Sequence, residues 1–449
     1  MGKTFRRLFT YSILPLKPLL VLLCLFSAAD AFSADYAVTP AGWDDMGAVL
    51  TDMAYPYSPI TDAELSNSSL IGSYKCIFTN CSANCDAAAP GAKDSIRNFV
   101  AAGGAIYSSD WAYIYIQTSF NKEIEFLPSP KTGEAGNYLV SVVDPGLKEY
   151  LGVESMTLNL NLGAWVPIAS VAAATKEYLR GTNDPLYPDH VRNKPMLASF
   201  KYEKGTVVYT TFHNEAQVSA TEQRLLEYIV LITITSQLSE ELAQYMQNRG
   251  YVVAKENLNK ISTGQQSILY SYDYSSPGVN YALSFGANFN AGNTMTLSVY
   301  RPDGSLYSAV QNATPPILIE VPAAAEGTWT YRVSAANTSS ANQPYVLMAG
   351  RRTPSTSTLN EVIAAPNPFI PSRGDMVMVF DNVTSKSDLQ IFSLTGELLR
   401  KIDSSAAQSG SIFWDGKNDD GGNVGSGIYI YLITDEDGNK KKGKVAVVR

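Results

Sequence analysis

Phe99-Val100-Ala101-Ala102-Gly103-Gly104-Ala105-Ile106-Tyr107-Ser108-Ser109-Asp110-Trp111 decides the fold of the first half of this chain. Before Gly103, residues 92–102 place Ile96, Phe99 and Val100 on one side of a helix. The glycine pair ends that helix, because glycine takes the left-handed turn that a helix C-terminus favours. Residues 105–109 then read as a buried strand, stopped by Asp110 and Trp111. Helix, tight turn and apolar strand in succession are the repeating unit of an α/β fold.

The same rhythm extends in both directions. Residues 74–79 read as a second buried strand. Residues 43–53 carry Met46, Val49, Leu50 and Met53 as one helical stripe, and Asp62 stands where a short helix through Leu65 needs a cap. Downstream, Lys204-Gly205 turns into a strand over 206–211 that runs into Phe212-His213-Asn214-Glu215, and a helix over 220–249 closes the region. Three of these pieces resemble the class I glutamine amidotransferase-like superfamily: the strand before Cys81, the helix–Gly-Gly–strand unit, and the strand that delivers His213. The resemblance spans residues 35–250 and implies a flavodoxin-like parallel sheet with helices on both faces.

Catalytic members of that superfamily carry a cysteine on the strand-to-helix turn, which exposes the nucleophile and aims backbone N–H groups at the oxyanion. Here the strand ends in Ser108-Ser109-Asp110, without a cysteine or the Gly-x-Cys-x-Gly surround. His213 does match the family's histidine in register, with Glu215 two residues on. One reading is a relay in which Ser109 attacks, His213 takes its proton and Glu215 orients the imidazole. The other is a domain without catalysis, whose polar strand ends make structural hydrogen bonds and whose Asp110 caps the next helix. The missing glycines favour the second reading and put glutaminase chemistry in doubt.

Beyond residue 250 no long helical period appears, and strand-like runs alternate with turn signals such as Pro302-Asp303-Gly304-Ser305. The runs Val299-Tyr300-Arg301-Pro302-Asp303-Gly304-Ser305 and Gly327-Thr328-Trp329-Thr330-Tyr331-Arg332-Val333, within residues 255–352, resemble the jelly-roll-like sandwich of pre-peptidase C-terminal domains. Such a domain implies an accessory role. Residues 353–357 read as a linker. Residues 358–449 contain Pro366-Asn367-Pro368-Phe369, Leu389-Gln390-Ile391-Phe392-Ser393-Leu394-Thr395-Gly396, Trp414-Asp415-Gly416 and Ser426-Gly427-Ile428-Tyr429-Ile430-Tyr431, and end in Lys444-Val445-Ala446-Val447-Val448-Arg449. That series is similar to the C-terminal Ig-like sorting domain of type IX secretion cargo and to the Ig-like domain of flagellar hook-capping (FlgD-like) proteins. It implies recognition of the last strand and its basic approach by an export machinery.

The N-terminus agrees with export. Lys3, Arg6 and Arg7 precede an apolar stretch over 13–26, and Ala29-Asp30-Ala31 fits a cleavage site, so residues 1–31 read as a signal peptide. Of 449 residues, 45% are hydrophobic, ample for two to four packed domains. Removing residues 1–31 takes away Lys3, Arg6, Arg7 and Lys17 against Asp30, and moves the net charge from −8 to −11. An acidic chain whose one basic run is Lys440-Lys441-Lys442 is a poor ligand for nucleic acid or anionic lipid. No transmembrane segment is expected after the leader.

Three cysteines remain after the leader. Cys76 sits in an apolar strand, while Cys81 and Cys85 flank a short loop that a disulfide could close. Zinc is a weaker alternative there, since Cys81 and Cys85 are half a site with only His190 and His213 to complete it. His190, in a proline-rich loop, reads as a surface residue. Asp415 and Asp419 could serve calcium, but no bidentate glutamate follows, and a plain hairpin loop accounts for them. No phosphate loop is present, and no cofactor is expected.

The expected protein is therefore multidomain, α/β followed by two β-sandwich domains. It is secreted or held at the outer cell surface by way of the periplasm, and serves a binding or structural role toward a surface glycan or protein ligand. Two alternatives stay open: a secreted hydrolase using Ser109 or Asp110 with His213, and a surface assembly protein whose Ig-like domain self-associates.

Overall fold

A computed structural model of the chain describes residues 35–449, apart from 121, 275–281, 323, 353–357, 372–376, 385 and 404–409. The signal peptide expected over 1–31 and the linker over 353–357 lie outside the described residues. The first eleven strands are β1 (Tyr36–Val38), β2 (Tyr57–Pro59), β3 (Cys76–Thr79), β4 (Ala105–Ser109), β5 (Ile124–Phe126), β6 (Gly136–Val142), β7 (Ser155–Leu160), β8 (Ile168–Val171), β9 (Lys176–Gly181), β10 (Pro195–Tyr202) and β11 (Gly205–Thr210). Nine of them form one sheet in the order β2-β1-β3-β4-β11-β10-β9-β6-β7, while β5 and β8 pair separately. The half from β2 to β11 is parallel. The half from β10 to β7 is antiparallel, so the sheet is mixed rather than wholly parallel.

The central strands are apolar on both faces because both faces are covered. Ile77, Ile106, Val207 and Tyr209 share one core with three helices. Of the first four helices, α1 (Met46–Asp52), α2 (Ser68–Ile71), α3 (Cys85–Ala101) and α4 (Tyr113–Ser119), these are α2, α3 and α4. Phe78, Tyr107 and Val208 face the opposite core, shared with α1, α5 (Pro145–Leu151), α6 (Ala220–Ile234) and α7 (Ser236–Gln247). Flavodoxin-like layering, with helices on both faces, is thus what the sequence pattern leads one to expect.

Local boundaries differ from that pattern in three places. Helix α3 starts at Cys85, seven residues before Ala92, and accommodates Pro90 in its second turn at the loss of one N–H donor. The segment 220–249 is two helices, broken at Thr235, whose hydroxyl donates back to the Leu231 carbonyl at 2.7 Å. Thr61, not Asp62, caps the turn at 62–66, through a capping box with Glu64. Asp62 is instead buried, and accepts the Tyr115 hydroxyl at 2.8 Å.

After α7 the chain is all β. Val252–Ile261, Gln343–Arg352, Ala282–Phe289 and Ile317–Val321 form one four-stranded antiparallel sheet, and Tyr270–Tyr274, Gly327–Asn337, Thr294–Tyr300 and Leu306–Asn312 form another. Their inner faces share a core around Phe285, Leu297, Trp329 and Tyr331. The outer face of the first sheet receives α7. Gly286 lets Leu242 approach, since a Cβ there would stand 2.7 Å from Leu242 Cδ1. Leu258, Ala282, Val346 and Met348 accordingly join the core beneath α6 and α7. A last pair of antiparallel sheets, three- and four-stranded, encloses Phe380, Leu389, Trp414 and Tyr431. Among the described residues, no helix is long and apolar enough to cross a membrane.

Candidate functional site

β3, β4 and β11 are neighbours and run parallel, so their C-terminal ends open on one edge of the sheet, where α/β proteins place their ligands. Cys81 follows β3, Asp110 follows β4 directly, and His213 follows β11. The three side chains meet there. His213 Nε2 lies 2.9 Å from Asp110 Oδ2 and 3.3 Å from Cys81 Sγ, and Cys81 Sγ lies 3.6 Å from the same carboxylate oxygen. All are buried, with Cys81 at 0%, Asp110 at 2% and His213 at 6% exposure. Among the described residues they are the one group of three or more Cys, His, Asp or Glu donors gathered within 4.8 Å.

Asp110 occupies the sharp strand-to-helix turn, with φ at +42°. A non-glycine residue there is strained by about 1–3 kcal/mol unless its surroundings hold it. They do. Asp110 Oδ1 accepts the Val166 N–H at 2.7 Å, and its carbonyl accepts the Tyr209 hydroxyl at 3.2 Å. The elbow is therefore present without its expected glycines, and it bears a carboxylate. Asp110 does not cap the following helix; its side chain is turned inward to His213 and Val166.

The segment before α1 closes the site. Trp43 N–H donates to the Cys81 carbonyl at 3.0 Å, Asn214 N–H donates to Asp44 Oδ1 at 2.6 Å, and Met46 N–H donates to Asn80 Oδ1 at 2.9 Å. Gly42 is required because a Cβ would stand 2.5 Å from the Cys81 carbonyl oxygen. Asp44 is fully buried, with the Ser109 hydroxyl beside its carboxylate. Burial pushes its carboxyl up to about 6, opposed by the Ser109 hydroxyl, the His213 charge and the Asn214 N–H, with Asp110 adding to the rise. Burial alone would lower the His213 imidazole. The hydrogen bond and charge of Asp110, with Asp44 and Glu215, outweigh that and hold it above its ordinary value. Cys81 is pushed well up by burial and then by the Asp110 charge, both of which favour the thiol over the thiolate. Over the site, Trp43 packs edge-on against Trp111 with centroids 4.9 Å apart, and Lys131 Nζ sits 3.8 Å from the Trp111 ring centre.

The Ser109–His213–Glu215 relay is not assembled. Ser109 is buried with its hydroxyl beside Asp44 rather than His213, and Asp110 holds the position against His213. Glu215 is exposed and acts on His213 only through its charge. Cys81 and Cys85 are separate thiols rather than a disulfide. Cys85, in the first turn of α3, faces the Ser82 hydroxyl and the Asn80 carbonyl, whereas Cys81 faces Asp110 and His213. Asp415 and Asp419 each accept from turn or strand backbone, at Lys417 and Lys401, and neither belongs to a described group of three or more metal-ligating side chains. His190 packs on Trp165 and accepts the Glu134 N–H. Sequence reasoning pairs Cys81 with Cys85, and with His213 only in the weaker zinc alternative; the contact it misses is that of Cys81 with Asp110. The signal was the place of Cys81 just past a strand adjacent to β4.

Neither protein-family models nor curated protein sequences match the chain. Solved structures do. PorZ, a bacterial surface component of the type IX secretion system of Porphyromonas gingivalis, is 27% identical over 23% of this chain and 14% of its own, with a TM-score of 0.19. A protein from Thermoplasma acidophilum described as one component of a GMP synthase is 14% identical over 46% of this chain and 96% of its own, with a TM-score of 0.35. A glutamine amidotransferase from Thermotoga maritima is 11% identical over 46% of this chain and 91% of its own, with a TM-score of 0.28. With TM-scores below 0.5, these likenesses carry no argument about function.

Proposed function

We propose that this chain is a secreted or outer-surface protein of binding or structural role. Its α/β region keeps an amidotransferase-like sheet without glutaminase chemistry, and its last β region serves export or attachment. The observation that carries the reading is Asp110 at the elbow. Thioester chemistry needs a low-pKa thiolate at that position, exposed to substrate. Here a buried carboxylate stands there, bound to His213, and at the neighbouring Cys81 burial and charge favour the thiol over the thiolate. Export is supported by the C-terminal sequence series and by its geometry. Lys440–Val447 is the outer strand of its four-stranded sheet, and Lys440, Lys442 and Lys444 are exposed along it. The sandwich over 255–352 fits an accessory or ligand-contacting module.

The elbow also favours a second reading, a hydrolase with Asp110 as nucleophile beside His213. Against it, both carboxylate oxygens are engaged and the group is 2% exposed. The deciding experiment compares the full chain with a chain ending at Ser357 in cell fractions, alongside glutaminase and esterase assays of the purified protein. Surface delivery lost on truncation and no turnover is the expected result. Normal delivery of the shortened chain, or turnover abolished by Asp110→Asn, overturns the corresponding half of the proposal.

A further inference from the structure

We infer that Cys81 Sγ, Asp110 Oδ2 and His213 Nε2 form a three-ligand site for a divalent zinc-type cation. A relay of nucleophile, histidine and orienting acid uses the two ring nitrogens separately, one toward each partner. In this cluster both partners face the same nitrogen, Nε2, and the sulfur also faces the same carboxylate oxygen. Three donor atoms converging on one point is how a metal is held.

The distances agree with that geometry. Tetrahedral zinc, with Zn–S about 2.3 Å and Zn–N and Zn–O about 2.0–2.2 Å, sets nitrogen and oxygen roughly 3.3–3.5 Å apart and sulfur roughly 3.5–3.7 Å from either. The observed separations are 2.9, 3.3 and 3.6 Å. The N–O and S–N separations must each open by a few tenths of an ångström, and the S–O separation already fits. The donor set of thiolate, imidazole and carboxylate suits zinc and its neighbours rather than calcium or magnesium, which take oxygen ligands.

Two further features point to an ion. The Val166 N–H holds Asp110 Oδ1 and so aims Oδ2 inward, the kind of outer hydrogen bond that orients metal ligands. Asp44, fully buried beside the Ser109 hydroxyl, lies within charge range of both His213 and Asp110. It supplies negative charge next to a site that would gain a positive one. Binding expels the Cys81 thiol proton to solvent, and the proton that His213 Nε2 donates to Asp110 must also leave, to solvent from the imidazolium or to Nδ1 from the neutral ring, which frees the Nε2 lone pair. Three protein ligands leave a fourth position open to water or a ligand atom, as in catalytic rather than structural zinc sites.

The test uses the full chain, stripped with chelator, and Zn²⁺ or Co²⁺ alone. One equivalent should bind. Co²⁺ should produce a thiolate-to-metal charge-transfer absorption. Cys81→Ser and His213→Ala should each abolish that absorption and weaken Zn²⁺ binding by at least about tenfold. Cys85→Ser and His190→Ala should leave both unchanged. Asp110→Asn preserves the shape of the site and covers the case in which His213→Ala does not fold; it too should weaken binding. Absence of stoichiometric binding overturns the site. So does a charge-transfer band that survives Cys81→Ser, or a folded Asp110→Asn that binds as the parent does.

Discussion

His213 Nε2 stands 2.9 Å from Asp110 Oδ2, and the aspartate carries this contact from a backbone with φ at +42°. Charge, hydrogen bonding and backbone conformation are therefore combined in one residue, and substitutions separate them. Asp110→Asn keeps an acceptor for the Val166 N–H and a residue type that tolerates positive φ, so it should cost only about 1–2 kcal/mol. Asp110→Ala loses the acceptor, strands His213 and keeps the backbone strain; about 3 kcal/mol or more is expected. Denaturant unfolding of the metal-free chain at pH 7 measures both. Equal losses would show that the carboxylate's hydrogen bonds contribute nothing.

The buried Asp44 sets a pH dependence. Its folded pKa of about 6 lies above the unfolded value of about 3.9, so the folded chain binds the proton more tightly and stability falls as pH rises from 4 to 6. His213 has the same sign. Its raised value gives stability that is complete below about 6.5 and lost as pH rises through the folded pKa. Groups facing Asp44 are Ser109, Asp110, His213 and Asn214. In chelator, Asp44→Asn should match the parent near pH 4 and exceed it by roughly 2–3 kcal/mol at pH 7. Thermal melts of both proteins across that range decide it, and a pH-independent difference would rule the mechanism out.

Thiol reactivity separates a silent site from an active one. Cys76, Cys81 and Cys85 are at most 2% exposed, and burial raises the pKa of all three. In the chain without its leader, a thiol-directed alkylating reagent at neutral pH should leave all three unmodified, and should modify all three in guanidinium. Mass spectrometry of the digested protein reads the outcome. Fast, selective alkylation of Cys81 in the native protein would mean an accessible thiolate and would return the chain to the catalytic class.

How much of this was legible depends on where the determining contacts lie. β4 is readable residue by residue, because an apolar run sits between a glycine pair and Asp110. Helix α3 begins earlier than its pattern suggests, since its first turns are alanine-rich and contain Pro90, leaving little apolar stripe. β6 and β7 alternate with period two, burying Tyr138, Val140, Met156 and Leu158, but short mixed-polarity runs do not announce themselves without a sheet to join. At the site, Asp110 and His213 are visible as polar residues at strand ends. Their contact with Cys81 is not, because 29 and 132 residues separate the pairs and only the strand order β3-β4-β11 brings them together. Local spacing instead makes Cys85 look like the natural partner of Cys81.

Two glycines beneath α7 test how the helix meets the first sandwich sheet. A Cβ at Gly286 would meet Leu242 Cδ1 at 2.7 Å and Met246 Sδ at 3.3 Å, both flexible side-chain atoms that can move aside. A Cβ at Gly350 would meet Met246 Cε at 2.7 Å but also the Val252 carbonyl oxygen at 2.7 Å, which belongs to the paired strand and cannot yield without shifting the ladder. Gly286→Ala should therefore cost about 1 kcal/mol or less, and Gly350→Ala about 2–3 kcal/mol. A double variant pairing Gly350→Ala with Met246→Ala should recover little of the loss, because the backbone clash remains. Full recovery in denaturant unfolding would place the strain in the methionine and refute the argument from the strand.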